Sequence, residues 1–126
     1  MNLKPIAEYL ESQGLGTGGR DLFVNYMPED VQQGILLMNK LSGTPIDWEL
    51  PGYRRSGFQL IVRHTDDEAG LLMAEQLSDA LTLTNTTLTG MLVKVIRPKH
   101  EPVVYPVSKG DYLEISVNFE AIYVKP

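Results

Sequence analysis

The 126-residue sequence predicts an α+β fold, a mostly antiparallel sheet with two helices packed on it. Three observations predict it. Leu113, Ile115, Val117, Phe119, Ala121 and Tyr123 alternate with Glu114, Ser116, Asn118 and Glu120, the period of a strand with one buried face. Ala69, Leu72, Met73, Leu77, Ala80 and Leu81 recur at spacings of three and four with few breaks, as on the stripe of an amphipathic helix. The segments run helix, strands, strand, helix, hairpin, an order that lacks the regular alternation of strand and helix building a parallel sheet.

The elements follow in order. A first helix is expected over about Leu3 to Gln13, with Asn2 as N-cap, Pro5 in the tolerant first turn and Ile6, Tyr9 and Leu10 on one stripe. Gly14 can take the left-handed position after it, and Leu15 can then fold back on Leu10. Asp21 to Met27 and Gly34 to Met38 read as short strands separated by the turn residues Pro28-Glu29-Asp30. Residues 39–57 form a long connection carrying Gly43, Pro45, Pro51, Gly52 and Gly57, and loops of that size in compact domains tend to be functional or disordered. Its apolar Ile46, Trp48 and Leu50 argue against disorder.

Phe58 to His64 reads as a strand, and a helix follows at once. Thr65-Asp66-Asp67-Glu68 has the form of a capping box with Thr65 as N-cap, and the apolar stripe carries the helix to about Thr82. Leu88 to Arg97 and Gly110 to Val124 then form a hairpin. Its connection, residues 98–109, sets Pro98, Pro102 and Pro106 around Val103, Val104 and Tyr105, which suits an extended arm with little regular pairing at its tip. The whole chain, residues 1–126, is expected to form a single domain.

Composition narrows the function. With no cysteine there is no disulfide, thiolate metal site or cysteine nucleophile. A formal charge of −5 and scattered basic residues, with Arg54-Arg55 the only adjacent pair, argue against a protein that grips nucleic acid. No window approaches the roughly 18 apolar residues of a membrane helix, and the N-terminus lacks the pattern of a secretory signal, so the expected origin is the cytoplasm.

Gly14-Leu15-Gly16-Thr17-Gly18-Gly19 matches the dinucleotide fingerprint in form, but it follows a helix and precedes a strand, the reverse of the order the phosphate mechanism requires. His64 lies two residues from Asp66, too few ligands for a zinc or iron site, and His100 stands apart in the proline-rich connection, where a solvated or interface role is expected. Nucleophile-elbow, P-loop and paired-histidine motifs are absent. No catalytic, metal-binding or cofactor-binding residue is assigned, no cofactor is expected, and the chain is expected not to be an enzyme.

Read as a whole, the chain resembles the minor capsid or tail-terminator-like proteins of long-tailed bacteriophages. The resemblance is carried by the order and spacing of Ile6 to Gly16, Leu22-Phe23-Val24 with Met27-Pro28, Phe58 to Arg63, the helix through Ala80-Leu81, and Glu114 to Phe119. It implies a virion protein, assembled in the host cytoplasm, whose copies form a hexameric ring at the head-proximal end of the tail. Such a ring stops tube polymerisation and offers a docking surface to the head connector. The implied partners are further copies of the chain, the tail-tube protein and a head-completion or neck protein, with DNA passing through the lumen without specific binding and no membrane involved. The acidic net charge suits such a lumen. Alternatives are a head-completion or neck connector protein, a tail-tube subunit, or a small ligand-binding α+β domain with a cleft beside His64.

Candidate subunit or tube contacts lie in the two long connections. In the first they are Ile46, Asp47, Trp48, Glu49 and Leu50, with Trp48 either an aromatic anchor or folded back onto the core. Arg54 and Arg55 can bridge carboxylates of a neighbour or stay solvated. In the second they are Val103, Val104 and Tyr105, on an arm stiffened by proline or at a plain hairpin tip.

Overall fold

A computed structural model describes residues 1–106 and 112–126. Among these residues two helices pack on a mostly antiparallel, curled seven-stranded sheet, an α+β fold. The elements are α1 (Lys4–Ser12), β1 (Leu22–Val24), β2 (Gly34–Asn39), β3 (Tyr53–His64), α2 (Asp67–Ala80), β4 (Leu83–Leu88), β5 (Met91–Pro98), β6 (Val103–Pro106) and β7 (Leu113–Val124). The main path of the sheet runs β1-β2-β3-β7-β5-β4, and β6 pairs with β7 beyond the end of β5.

The pleat of the two longest strands sets the layers. β3 and β7 pair antiparallel along their whole length, which places Phe58 opposite Phe119, Leu60 opposite Val117 and Val62 opposite Ile115 on one face. All six are fully buried, and the two phenyl rings stack with centroids 5.0 Å apart. The helices cover this face, α2 across β3 and β7, while α1 touches both β1 and β4 near opposite ends of the sheet. The curl of the sheet lets one short helix reach both, and Leu3, Ile6 and Leu10 join the same core. The opposite, outer face carries Arg55, Gln59, Arg63, Glu114, Ser116 and Glu120.

The end of α1 forms as expected. Gly14 has φ 73°, and the amides of Leu15 and Gly14 donate to the carbonyls of Leu10 and Glu11, both at 3.0 Å. The start differs slightly. Asn2 Oδ1 accepts from the Lys4 amide at 3.1 Å, while Leu3 occupies the cap position and buries its side chain. On α2 the cap is Asp66 in place of Thr65: its carboxylate accepts from the Ala69 amide at 3.1 Å. His64 Nδ1 accepts from the Asp66 amide at 3.0 Å and so belongs to the strand-to-helix turn.

Leu72 departs from the expected stripe and is 56% exposed. The helix seats itself on Gly70, Ala74, Leu77 and Ser78, a face turned away from Leu72. Gly70 decides this, because a Cβ there would stand 2.7 Å from Ile115 Cδ1 and 2.9 Å from His64 Cβ, so only a bare backbone can approach the sheet so closely.

The strands also differ from the expected pattern. β1 is shorter than Asp21 to Met27 and pairs parallel with β2, because Asn25 turns left-handed at φ 62° and the chain crosses the outer face before β2 begins. The long connection shrinks to residues 40–52, since β3 starts at Tyr53 and takes in Arg54 and Arg55. β4 precedes the expected hairpin: its polar Thr84, Asn85, Thr86 and Thr87 hide a strand that returns through Thr89-Gly90 to β5, with Gly90 at φ 70°.

The hairpin of β5 with β7 is present, and its connection is more regular than expected. Val103 to Pro106 resume pairing with β7, and pairing lapses between them at residues 99–102. There the exposed His100 reaches over to β7 and its Nε2 accepts from the Asn118 amide at 3.1 Å, satisfying the strand where the ladder is interrupted. The expected start of the last strand at Gly110, and the arm's tip, lie outside the described residues.

Candidate assembly surface

The loop of residues 40–52 is ordered by its own polar contacts. Asp47 Oδ1 accepts from the amides of Glu49 at 2.9 Å and Leu50 at 3.1 Å, which turns the chain tightly around Trp48. Thr44 Oγ1 meets Ser56 Oγ at 2.8 Å, and the Tyr53 amide donates to the Leu50 carbonyl at 3.0 Å, tying both ends to β3. The Trp48 side chain points to solvent and is 89% exposed. Leu41, Ile46 and Leu50 of the same loop are also exposed. Trp48 therefore does not fold back onto the core. Pro45, Ile46, Asp47, Trp48, Glu49, Tyr53 and Arg55 line a groove of about 610 Å³ there.

Arg54 and Arg55, adjacent in sequence, point to opposite faces of β3. Arg54 stands opposite Tyr123 on the helix side, where it donates to the Tyr53 carbonyl at 2.9 Å. Burial raises the pKa of the Tyr123 phenol, opposed by the Arg54 charge and a hydrogen bond from Thr44. Arg55 lies on the outer face and pairs with Glu120 of its own chain at 2.8 Å. Arg97 reaches the same carboxylate from β5 at 2.9 Å. These guanidiniums, Arg97 first and Arg55 second, hold the Glu120 carboxyl below its ordinary range.

Beside this triad a notch of about 410 Å³ is lined by Lys40, Ser42, Gly43, Pro45, Arg55, Ser56, Gly57, Lys99 and Glu120. Contact with the Lys40 ammonium, followed by burial, lowers the Lys99 pKa. Lys40, Arg97 and Lys99 were not among the residues singled out from the sequence, because strand register and the lapse at 99–102 bring them together from distant segments.

Val103, Val104 and Tyr105 lie on β6, an edge strand bracketed by Pro102 and Pro106, and all three are exposed. Proline at both ends blunts such an edge against indiscriminate strand addition. The structure thus keeps the Trp48 loop, Arg55 and β6 accessible and turns Arg54 to the other face.

A groove of about 490 Å³ between α2 and the 98–102 segment is lined by Glu75, Asp79, Lys99, His100 and Glu101 together with Ser78, Pro98 and Pro102. A groove of about 340 Å³ runs between the glycine-rich connection, the start of β2 and α2. In the glycine-rich connection Asp21 Oδ1 accepts from Thr17 N at 2.6 Å and Glu11 Oε1 from Gly18 N at 3.3 Å, so carboxylates already take two of the amides a phosphate would use. Among the described residues no group of three or more His, Asp or Glu gathers as a metal site.

Comparison with known proteins gives two findings. The family model described as bacteriophage tail terminator protein matches residues 9–125. Among solved structures, the fold is similar to a chain in the virion of a native gene transfer agent particle, with a TM-score of 0.65 and 16% identity over 84% of this chain and 80% of that one. No curated protein matches.

Proposed function

The chain belongs to the bacteriophage tail terminator family, and from that premise we propose that its copies close into a hexameric ring on the head-proximal end of the tail tube. The chain is a structural protein of the phage tail and a component of the virion. In the proposed role the ring covers the last layer of tube protein, stops its polymerisation and gives the neck or head-completion protein a surface to dock on. DNA passes through the lumen without specific binding, which suits a chain of net charge −5. The role is mechanical and uses no catalytic group or cofactor.

The observation that carries this reading is the loop of residues 40–52. It exposes Trp48, Ile46, Leu50 and Leu41, yet its backbone is pinned by Asp47, Thr44 and the Leu50 carbonyl. An aromatic side chain carried on a fixed backbone is a ready-made interface anchor, because little backbone freedom remains to be lost on docking. β6, with Val103, Val104 and Tyr105, offers a second apolar contact for a neighbour or for the tube.

Electron microscopy of particles made after disruption of the gene tests the role. Overlong tubes without heads are expected. Tails of normal length that lack heads would move the protein to the neck, and intact infectious particles would remove the structural role altogether.

A further inference from the structure

In a ring, copies meet head to tail, so one surface of each chain must fit a different surface of the next. Two unlike surfaces of this chain match in charge and in apolar content.

The first is concave. The groove beside Trp48 and the cationic notch share Pro45 and Arg55, which makes them one trough with an aromatic wall and a basic floor. The floor is built by a bare backbone: a Cβ on Gly57 would stand 2.6 Å from Lys40 Cε and 2.8 Å from the Phe119 carbonyl oxygen, so glycine lets the lysine lie flat across the sheet. Glu120 already serves Arg55 and Arg97. Lys40 and Lys99 are left facing each other, an arrangement that an incoming carboxylate would relieve.

The second surface is the outward side of α2. Glu68, Leu72, Glu75 and Asp79 follow one another on α2 at spacings of four, three and four, and all are exposed, so they form one outward stripe with a leucine among acids. Among the described residues the ion pairs are Arg55–Glu120, Arg63–Glu114 and Arg97–Glu120, and none uses these acids. α2 lies on the helix side of the sheet, whereas Arg55, Gly57 and Glu120 face the other side, and Lys99 stands at the edge between them, since it also lines a groove with Glu75 and Asp79 of its own chain.

Resting on the ring reading, we propose that the outward stripe of α2 in one copy docks in the trough of the next, with Leu72 against Trp48 and the acids over Lys40 and Lys99. A second copy fits better than a nucleic acid backbone, which would use the cations and leave Ile46 and Pro45 in water while meeting a chain of net charge −5.

Charge exchange tests the contact. One full-length variant carries Lys40→Glu and Lys99→Glu, the other Glu75→Lys and Asp79→Lys, and native mass spectrometry follows assembly up to about 1 mM protein. The wild type is expected to form rings, and each variant alone to need at least about 100-fold more protein, because like charges then meet. An equimolar mixture should regain rings built of alternating copies, since each reversed surface now meets its opposite. Trp48→Ala should weaken assembly about 30-fold. Unchanged melting temperatures show that the variants fold, and Lys40→Gln with Lys99→Gln replaces any that does not.

Wild-type rings that persist in both variants overturn this contact and leave the ring reading standing. A wild-type chain that stays monomeric throughout overturns both. Rings lost in the lysine variant, not regained on mixing and accompanied by loss of binding to a short DNA duplex, assign the trough to phosphate and also overturn the contact.

Discussion

Replacing Arg63 with alanine removes the side chain that fastens the 25–33 segment to the outer face of the sheet. Arg63 is 8% exposed, and its Nη1 donates to the carbonyls of Pro28 and Val31, both at 2.9 Å. Its Nε and Nη2 donate to Glu114 Oε2 at 3.3 and 3.2 Å, and the guanidinium lies 4.6 Å from the centre of the Tyr112 ring. The two hydrogen bonds from a buried charge to carbonyls contribute about 1.5 kcal/mol each. The Glu114 side chain is 32% exposed, so screening limits that pair to roughly 0.5 kcal/mol. The stacked ring adds about 0.5 kcal/mol.

The sum, about 4 kcal/mol, agrees with the usual loss when one partner of a buried pair is deleted. For a domain of this size it corresponds to a fall of about 15 °C in Tm. Urea denaturation measures the free energy, and hydrogen exchange should show the amide of Ile35, bonded to the Asp21 carbonyl at 2.7 Å, losing protection along with the segment. Arg63→Lys should recover only part of the loss, since an ammonium cannot reach both carbonyls and Glu114 in one plane. A loss below about 1 kcal/mol for alanine, the range of ordinary surface substitutions, would refute the view that Arg63 anchors this segment.

Gly70→Ala gains about 1 kcal/mol of helix propensity but drives a methyl group into Ile115 and His64, an overpacking cost of about 1–3 kcal/mol. Net destabilisation of about 1 kcal/mol is expected in chemical denaturation, partly reversed by Ile115→Val, which removes the atom 2.7 Å away. Asp66→Ala should cost about 1 kcal/mol and Thr65→Ala under about 0.5 kcal/mol, and equal losses would return the cap to Thr65. For Glu120 the folded pKa is lowered, so its stabilising effect is complete above the unfolded value of about 4.3 and lost as pH falls through the folded one. The melting temperature of Glu120→Gln should therefore lie below that of the wild type at neutral pH and converge with it in acid, and a constant gap down to about pH 2 would contradict the triad.

What was legible in the sequence was local. The Leu113 to Tyr123 alternation is a strand, the Gly14-Leu15 ending of α1 forms with its expected hydrogen bonds, and α+β follows from the segment order. The exposed Trp48 loop was a candidate because a lone tryptophan among prolines and glycines is visible without coordinates. Leu72 misled because it meets two spacings at once, the apolar stripe and the acidic stripe of Glu68, Glu75 and Asp79. β4 escaped because its threonines and asparagine carry little apolar signal, its pairing coming from β5.

Tertiary structure decided what register and close approach decide. Nothing in the chain order says that Glu120 lies between Arg55 and Arg97, that Lys40 lies across Gly57 toward Lys99, or that β1 joins β2 in parallel. Periodicity reports which residues share a face of one element, since it reflects local backbone geometry. Which faces meet, and which cations gather at one notch, depends on contacts between residues far apart in the chain, fixed only when the curled sheet closes around its core.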